Sequence, residues 1–196
     1  MGDTDMSKLS EKAKAATREH KDVDVLFDRE LLGEQKRLAH AALTAQKAYQ
    51  ASTEEGFDGD PRFALHAYQE ASTRLEEFLA TIRDEFVVIR VVEVPDHEWR
   101  AVKARNPLPE DKDSWNTLDR QYGLNAIAST KAALELTALE VERDEDGHET
   151  TEKPSAEVWA EVFQNLSSGD LTSLVLAQIE LNETVYVGGY AAAKKG

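Results

Sequence analysis

Two short stretches carry residue types that could bind a metal ion. Asp58 and Asp60 lie in an acidic segment containing glycine and proline, and their carboxylates could ligate calcium. The segment lacks the further oxygen ligands and the closing glutamate of an EF-hand loop, so a plain turn is the favoured interpretation. His97 and Glu98 match the first half of a zinc-protease motif, but position 101 is alanine where that motif needs a second histidine.

His148 is the remaining candidate for acid–base chemistry. It lies in an acidic loop, residues 143–149, where the sequence supplies neither a nucleophile nor an orienting partner. The chain contains no cysteine, which excludes disulfides, thiol catalysis and cysteine-ligated zinc. We therefore predict a protein that is not an enzyme and that needs no metal or cofactor.

The charge of the chain bears on its partners. It has 38 acidic and 23 basic residues and a formal charge of −15, which repels phosphate backbones and anionic lipid. No apolar run approaches the roughly 20 residues that a membrane span needs. Residues 1–5 lack the basic and apolar regions of a signal peptide. These patterns predict a cytosolic protein with no direct nucleic-acid or membrane partner.

Two apolar stretches of the chain have the pattern of β-strands. Residues 86–94 form the densest β-branched run in the chain, and Val23, Val25 and Phe27 alternate with other residues in a shorter run. The chain between them has the pattern of two helices, so it leaves and returns. We therefore predict that the two strands pair antiparallel in a short two-stranded ladder.

The intervening segment, residues 28–84, has a helical period on both sides of a turn. Residues that are mostly apolar or small recur at alternating spacings of four and three, as in helices that pack along each other. The turn is the Glu54–Pro61 segment, rich in glycine and aspartate. The recurring residues are Leu31, Gln35, Leu38, Ala42, Ala45 and Tyr49, followed by Ala64, Tyr68, Ala71, Leu75, Phe78 and Ile82.

The C-terminal half predicts a compact helical module, residues 95–185, with a tryptophan as the structural anchor of each of three helices. Trp99 shares a face with Val102, and Trp115 shares one with Leu118 and Tyr122. Trp159 lies on a predicted buried stripe that also contains Val158, Val162, Phe163 and Leu166, in a helix for which Ser155 is the predicted N-cap. We expect all three tryptophans to be core residues.

The last predicted helix has an apolar face that is broad enough to serve a partner as well as the core. Its candidate partner-binding residues are Leu171, Leu174, Val175 and Ile179. The full prediction is a mainly α chain with a small β element. It comprises a flexible leader (1–21), a strand, helical hairpin and strand (22–94), a helical module (95–185) and a flexible tail (186–196).

A series of caps, breaks and aromatic anchors over roughly residues 86–185 resembles the tail assembly chaperones of long-tailed phages of actinobacterial hosts. The resemblance rests on motifs that follow one another in a fixed order. They are the β-rich run leading to Trp99, the Asn106-Pro107-Leu108-Pro109 break, Trp115-Asn116 with the helix after Leu124, the segment Pro154–Trp159, and Leu166–Leu171 leading to Glu180-Leu181-Asn182.

The resemblance implies a non-enzymatic protein of the host cytoplasm. It would bind the helical tape-measure protein and keep it soluble while the tail tube assembles, with the tail-tube protein as a second candidate partner. Self-association stays open. The alternative is a structural component, such as a minor tail protein or a head-to-tail connector, which remains in the virion.

In the family that the chain resembles, ribosomes that slip near the end of the reading frame make a second, elongated form. Ala193-Lys194-Lys195 can be encoded by codons with an uninterrupted run of A bases, on which slipping is efficient. Lys194 and Lys195 are therefore the candidate frameshift site. A basic tail of small residues is also commonplace after a final helix, so both interpretations remain.

Overall fold

The computed structural model describes residues 18–54, 59–144 and 146–183, which form a four-stranded sheet and seven α-helices. The chain is mainly helical with a small antiparallel β element, which confirms the predicted fold class. None of the helices in these ranges is both long enough and apolar enough to cross a membrane. The strands are β1 (His20–Leu26), β2 (Phe86–Val92), β3 (Leu139–Arg143) and β4 (Glu149–Glu152). The helices are α1 (Arg29–Ser52), α2 (Pro61–Thr81), α3 (Asp96–Arg105), α4 (Thr117–Tyr122), α5 (Ala126–Thr137), α6 (Ala156–Asn165) and α7 (Ser168–Glu183).

The sheet has the order β1-β2-β3-β4, with every neighbouring pair antiparallel. The predicted pairing of the two apolar strands is confirmed, with Val23 opposite Ile89. The prediction of a two-stranded ladder is wrong, because β3 and β4 extend it from the C-terminal half. β4 has no apolar residue, so its sequence lacks the alternation that marks a half-buried strand. The predicted leader also ended too late, since β1 begins at His20, and residues 1–17 lie outside the described part of the chain.

The two long helices form the predicted antiparallel hairpin. Asp28 caps α1 by accepting hydrogen bonds from the backbone N–H groups of Glu30 and Leu31 at 2.8 and 3.0 Å. Asp60 caps α2, which opens with Pro61 at a position where no N–H is needed. The helices pack through the predicted faces, where Leu38 and Ala42 are buried and the rings of Tyr49 and Tyr68 stack with centroids 6.4 Å apart. With 24 residues, α1 is about 36 Å long.

Most buried apolar residues of the described part of the chain belong to two clusters that meet at α7. The first lies between the sheet and helices α5 to α7, and the second joins α3, α5 and α7. Leu174 belongs to the first cluster, whereas Val175 and Ile179 belong to the second. The other buried members of the first are Val25, Ile89, Val91, Leu134, Ala138, Trp159, Ala177 and Leu181, and those of the second are Val94, Trp99, Val102, Leu124, Ala126 and Ala133.

The three tryptophans have different environments. Trp99 and Trp159 are 2 and 1% exposed, and the Trp99 Nε1–H donates to Glu183 Oε1 at 2.7 Å. Trp115 is only half-buried, and its Nε1–H donates to the Pro109 carbonyl at 2.9 Å. Its predicted place on a helical face is wrong, because Asn116 and Asp119 form a reciprocal capping box that starts α4 at Thr117.

Four charged side chains form an ion network on the face of the sheet that points away from the Ile89 side chain. Arg90 binds Asp22 through two hydrogen bonds of 2.7 and 2.8 Å and reaches Glu149 at 2.9 Å. Arg143 contacts the same two carboxylates at 3.0 and 2.9 Å. Since these residues come from β1, β2, β3 and β4, the network ties all four strands together.

The network lowers the pKa of both of its acids. Hydrogen bonding to Arg90 is the main cause for Asp22, whose pKa lies below the ordinary 3.8 although partial burial opposes the shift. Hydrogen bonds from Arg90 and then Arg143 hold the pKa of Glu149 below 4.5. A carboxylate whose pKa is lower in the folded state stabilises the fold above its unfolded pKa, and this stabilisation is lost as the pH falls through the folded pKa.

We therefore expect the free energy of unfolding to fall as the pH drops below about 4.5. Asp22→Asn should be less stable at pH 7 and should lose less stability on acidification, because the variant lacks one of the carboxylates whose pKa is lowered in the folded state. Urea unfolding followed by tryptophan fluorescence at pH 7, 5, 4 and 3 measures this. Glu135→Gln, on the exposed face of α5 with no described ion pair, is the control. An acid dependence of Asp22→Asn as steep as that of the parent chain would contradict the expectation.

Replacing Trp159 by alanine should cost about 3–5 kcal/mol, because it opens a cavity at the centre of the first cluster. Trp115→Ala removes the same side chain from a half-buried position and should cost clearly less. Chemical denaturation followed by far-UV circular dichroism compares the two variants. Equal losses would show that the burial of Trp159 does not determine its contribution.

Candidate protein-binding surface

The candidate metal ligands and the candidate base do not converge on a site. Asp58 lies outside the described residues, and Asp60 is occupied as the cap of α2 and by Arg62. The His97 side chain is 83% exposed. In the ranges that the structure describes, no group of three or more histidine, aspartate or glutamate side chains could hold a metal ion.

His148 does have an orienting partner, contrary to the sequence analysis. Its Nδ1 lies 3.1 Å from Asp144 Oδ2, and its backbone N–H donates to Asp144 Oδ1 at 2.8 Å. Asp144 and His148 close the turn between β3 and β4, in which Gly147 has a φ of +81°. The His148 side chain is 78% exposed, so Asp144 and His148 stabilise a turn on the protein surface.

The predicted partner-binding face of the last helix is part of the core. Leu174 and Val175 are fully enclosed, Ile179 is 2% exposed, and Leu171 is half-buried against the second cluster. This burial corrects the assignment of Leu174, Val175 and Ile179 to a partner, whereas the assignment of the half-buried Leu171 stays a prediction. The face is broad because α7 is covered on two sides, so its apolar residues spread around the helix. The candidate frameshift residues Lys194 and Lys195 lie outside the described residues.

The apolar stripe of α6 is covered much less than its pattern predicts. Trp159 is its only buried residue, and Val162 and Phe163 are half-buried, whereas Val158 is 43% exposed. The Ser155 hydroxyl, which accepts from the Val158 N–H at 3.4 Å, caps α6 as predicted. The helix therefore packs on the first cluster through Trp159 and, in part, through Val162 and Phe163, and it leaves Val158 at an apolar edge open to solvent.

That open edge borders a groove of about 170 Å³ between α6 and the sheet. We call it the α6 groove. Its wall is almost entirely apolar, with the carboxylate of Glu140 as the charged exception. The lining residues are Phe27, Val87, Ile89, Glu140, Pro154, Val158, Trp159 and Val162. An apolar groove with few polar groups is the usual form of a site that accepts apolar side chains.

A second groove of about 290 Å³, the α1 groove, adjoins the first through Phe27. It lies between the first turns of α1 and the junction of α6 with α7. Leu32, Gly33 and Leu166 line it together with the cationic residues Arg29 and Lys36. Apart from the adjacent residues and the backbone of its own helix, no atom lies within 4 Å of the position that a Cβ on Gly33 would take. The two grooves therefore share Phe27 as a common lining residue at the base of the hairpin.

The remaining exposed apolar residues are scattered. Phe63 is 78% exposed on α2 and Leu43 is 48% exposed on α1, while Leu136 on α5 and Leu176 on α7 are each 40% exposed. Single exposed apolar residues are normal on protein surfaces and do not mark a site. The paired grooves are the better candidate because their apolar residues are contiguous.

Comparison of the chain with protein-family models, with curated proteins and with solved structures found no match. Sequence reasoning missed the role of Phe27, which joins the two grooves, because that role depends on elements far apart in the chain. The stripe on α6 was the available indication of an apolar surface there.

We expect Gly33→Ala to raise the free energy of unfolding by about 0.5–1 kcal/mol, because alanine favours the helix and the site has room for a methyl group. Ala39→Gly, at an exposed position on the same helix, should lower it by a similar amount. Urea titration of both variants provides the measurement. A destabilising Gly33→Ala would show that this position is not open.

Proposed function

We propose that this chain is a non-enzymatic phage tail assembly chaperone that binds the tape-measure protein and keeps it soluble in the host cytoplasm. The observation that carries the proposal is the partly uncovered apolar stripe of α6, with its groove beside the protruding hairpin. The sequence resemblance over roughly residues 86–185 supports the choice of partner.

The proposed partner has a need that these features meet. A tape-measure protein exposes long apolar helical faces until the tail tube surrounds it, and exposed apolar faces drive aggregation. Two adjoining grooves can cover apolar side chains along one such face by the helix-in-groove mode. The formal charge of −15 then keeps the complexes apart by mutual repulsion.

The test is co-expression with the protein encoded by the very long, helix-rich reading frame that we expect immediately downstream. The parent chain should move that protein from the pellet into the soluble fraction. Val158→Glu should abolish the effect, because it places a charge in the α6 groove at a position exposed enough to fold normally. Leu43→Glu is the matched control, since Leu43 is similarly exposed on the hairpin.

Two outcomes would reject the proposal. The downstream protein could be equally soluble without this chain, in which case no chaperone is required. Mass spectrometry of purified virions could instead find this chain at stoichiometric levels, which would favour a structural tail component. Circular dichroism of Val158→Glu establishes that the variant is folded before either result is interpreted.

A further inference from the structure

Three carboxylates project on the face of the sheet that carries the α6 groove. Glu140 pairs directly with Ile89 of β2 and with Glu152 of β4, and opposite residues in an antiparallel ladder share a face. Ile89 belongs to the core cluster that contains Trp159, so this is the face that α6 covers. Glu142 lies on the same face, because it is two residues beyond Glu140.

None of these three carboxylates has a cationic partner among the described residues. Arg90 and Arg143 lie on the opposite face, where both bind Asp22 and Glu149. Lys153 follows Glu152 in the chain, but its ammonium group donates to the Leu136 carbonyl at 2.8 Å. The sheet thus has paired charges on one face and unpaired acids beside the groove.

This arrangement works against the stability of the isolated chain. Like charges that face each other directly across two strands repel, and Glu140 and Glu152 are such a pair. A cation brought by a partner would remove the repulsion and gain charge-assisted contacts. Charge complementarity therefore selects a partner that combines an apolar face with positive charge.

We propose that the α6 groove binds a cationic amphipathic α-helix. Its apolar face contacts Val158 and Phe27, while lysine or arginine side chains on its flank contact Glu140, Glu142 and Glu152. The proposed site is the α6 groove alone, because the adjoining α1 groove is lined by the cationic side chains of Arg29 and Lys36. The inference rests on the proposed function only for the source of this helix, which is a segment of the tape-measure protein. The chemistry of the site does not depend on that function.

The probe is a fluorescein-labelled synthetic 18-residue helix with leucine on one face and lysine on the other. Two matched peptides accompany it: one with glutamate in place of lysine, and one with the same leucines and lysines scrambled so that no apolar face forms. Fluorescence anisotropy with the full chain should show binding of the leucine–lysine helix and about tenfold weaker binding of both others. The affinity should fall as salt is raised.

Two triple variants distinguish the effect of the carboxylates at the site from the effect of the net charge on peptide binding. Glu140→Gln, Glu142→Gln and Glu152→Gln together should weaken binding of the leucine–lysine helix by about tenfold or more. Glu54→Gln, Glu76→Gln and Glu77→Gln change the net charge equally at exposed positions of the hairpin and should leave binding within about twofold. Val158→Glu should weaken binding as well, because it removes the apolar contact.

Three results would overturn the inference. The first is that both triple variants weaken binding of the leucine–lysine helix equally, and the second is that the scrambled peptide binds as tightly as that helix. The third is a dimer in sedimentation that Val158→Glu dissociates, because a second copy of the chain would then be the occupant of the groove. Peptide binding is measured without the tape-measure protein, so the two proposals fail separately. Peptide binding without rescue of the tape-measure protein rejects the proposed function. Rescue by a chain that does not bind the peptide rejects this inference.

Discussion

The antiparallel pairing of β1 with β2 is the constraint on which the other elements depend. Seven residues of each strand pair in register, from His20 opposite Val92 to Leu26 opposite Phe86, although the entire hairpin separates them in the chain. Bringing such distant segments together costs conformational entropy, which the packing of α1 on α2 helps to offset. With both ends fixed by this ladder, the hairpin must leave the sheet at one point, and Phe27 lies there beside both grooves.

The parts of the fold that follow from local pattern could be predicted, and those that follow from distant contacts could not. The hairpin has a sustained helical period, and β2 has a β-branched run, so both were evident in the sequence. β4 is held by backbone pairing to β3 and by a turn in which Asp144 accepts from the Asp146 and His148 N–H groups. Its side chains contribute no apolar pattern. The Asp144–Gly147 spacing was the sign of a turn that could have indicated it.

The candidate site was only partly visible for the same reason. The stripe on α6 could be identified from its spacing, but the fraction of it that is covered depends on how many neighbours reach it. Only Trp159 is buried, while Val158 remains exposed beside Phe27, which follows β1, and beside residues from β2 and β3. The opposite error occurred at α7, whose apolar face looked available because a sequence does not reveal that a helix has neighbours on two sides.

The position of α7 affects how the protein folds during its synthesis. Both core clusters use residues of this helix, and it follows all other described elements in the chain. While the ribosome is still making residues 168–183, the sheet and helices α3 and α5 have already been made, but the apolar surfaces that α7 will cover are still exposed. The hairpin, whose two helices pack mainly on each other, can form earlier. Until α7 packs on both clusters, the nascent chain exposes their apolar surfaces and is itself prone to aggregate.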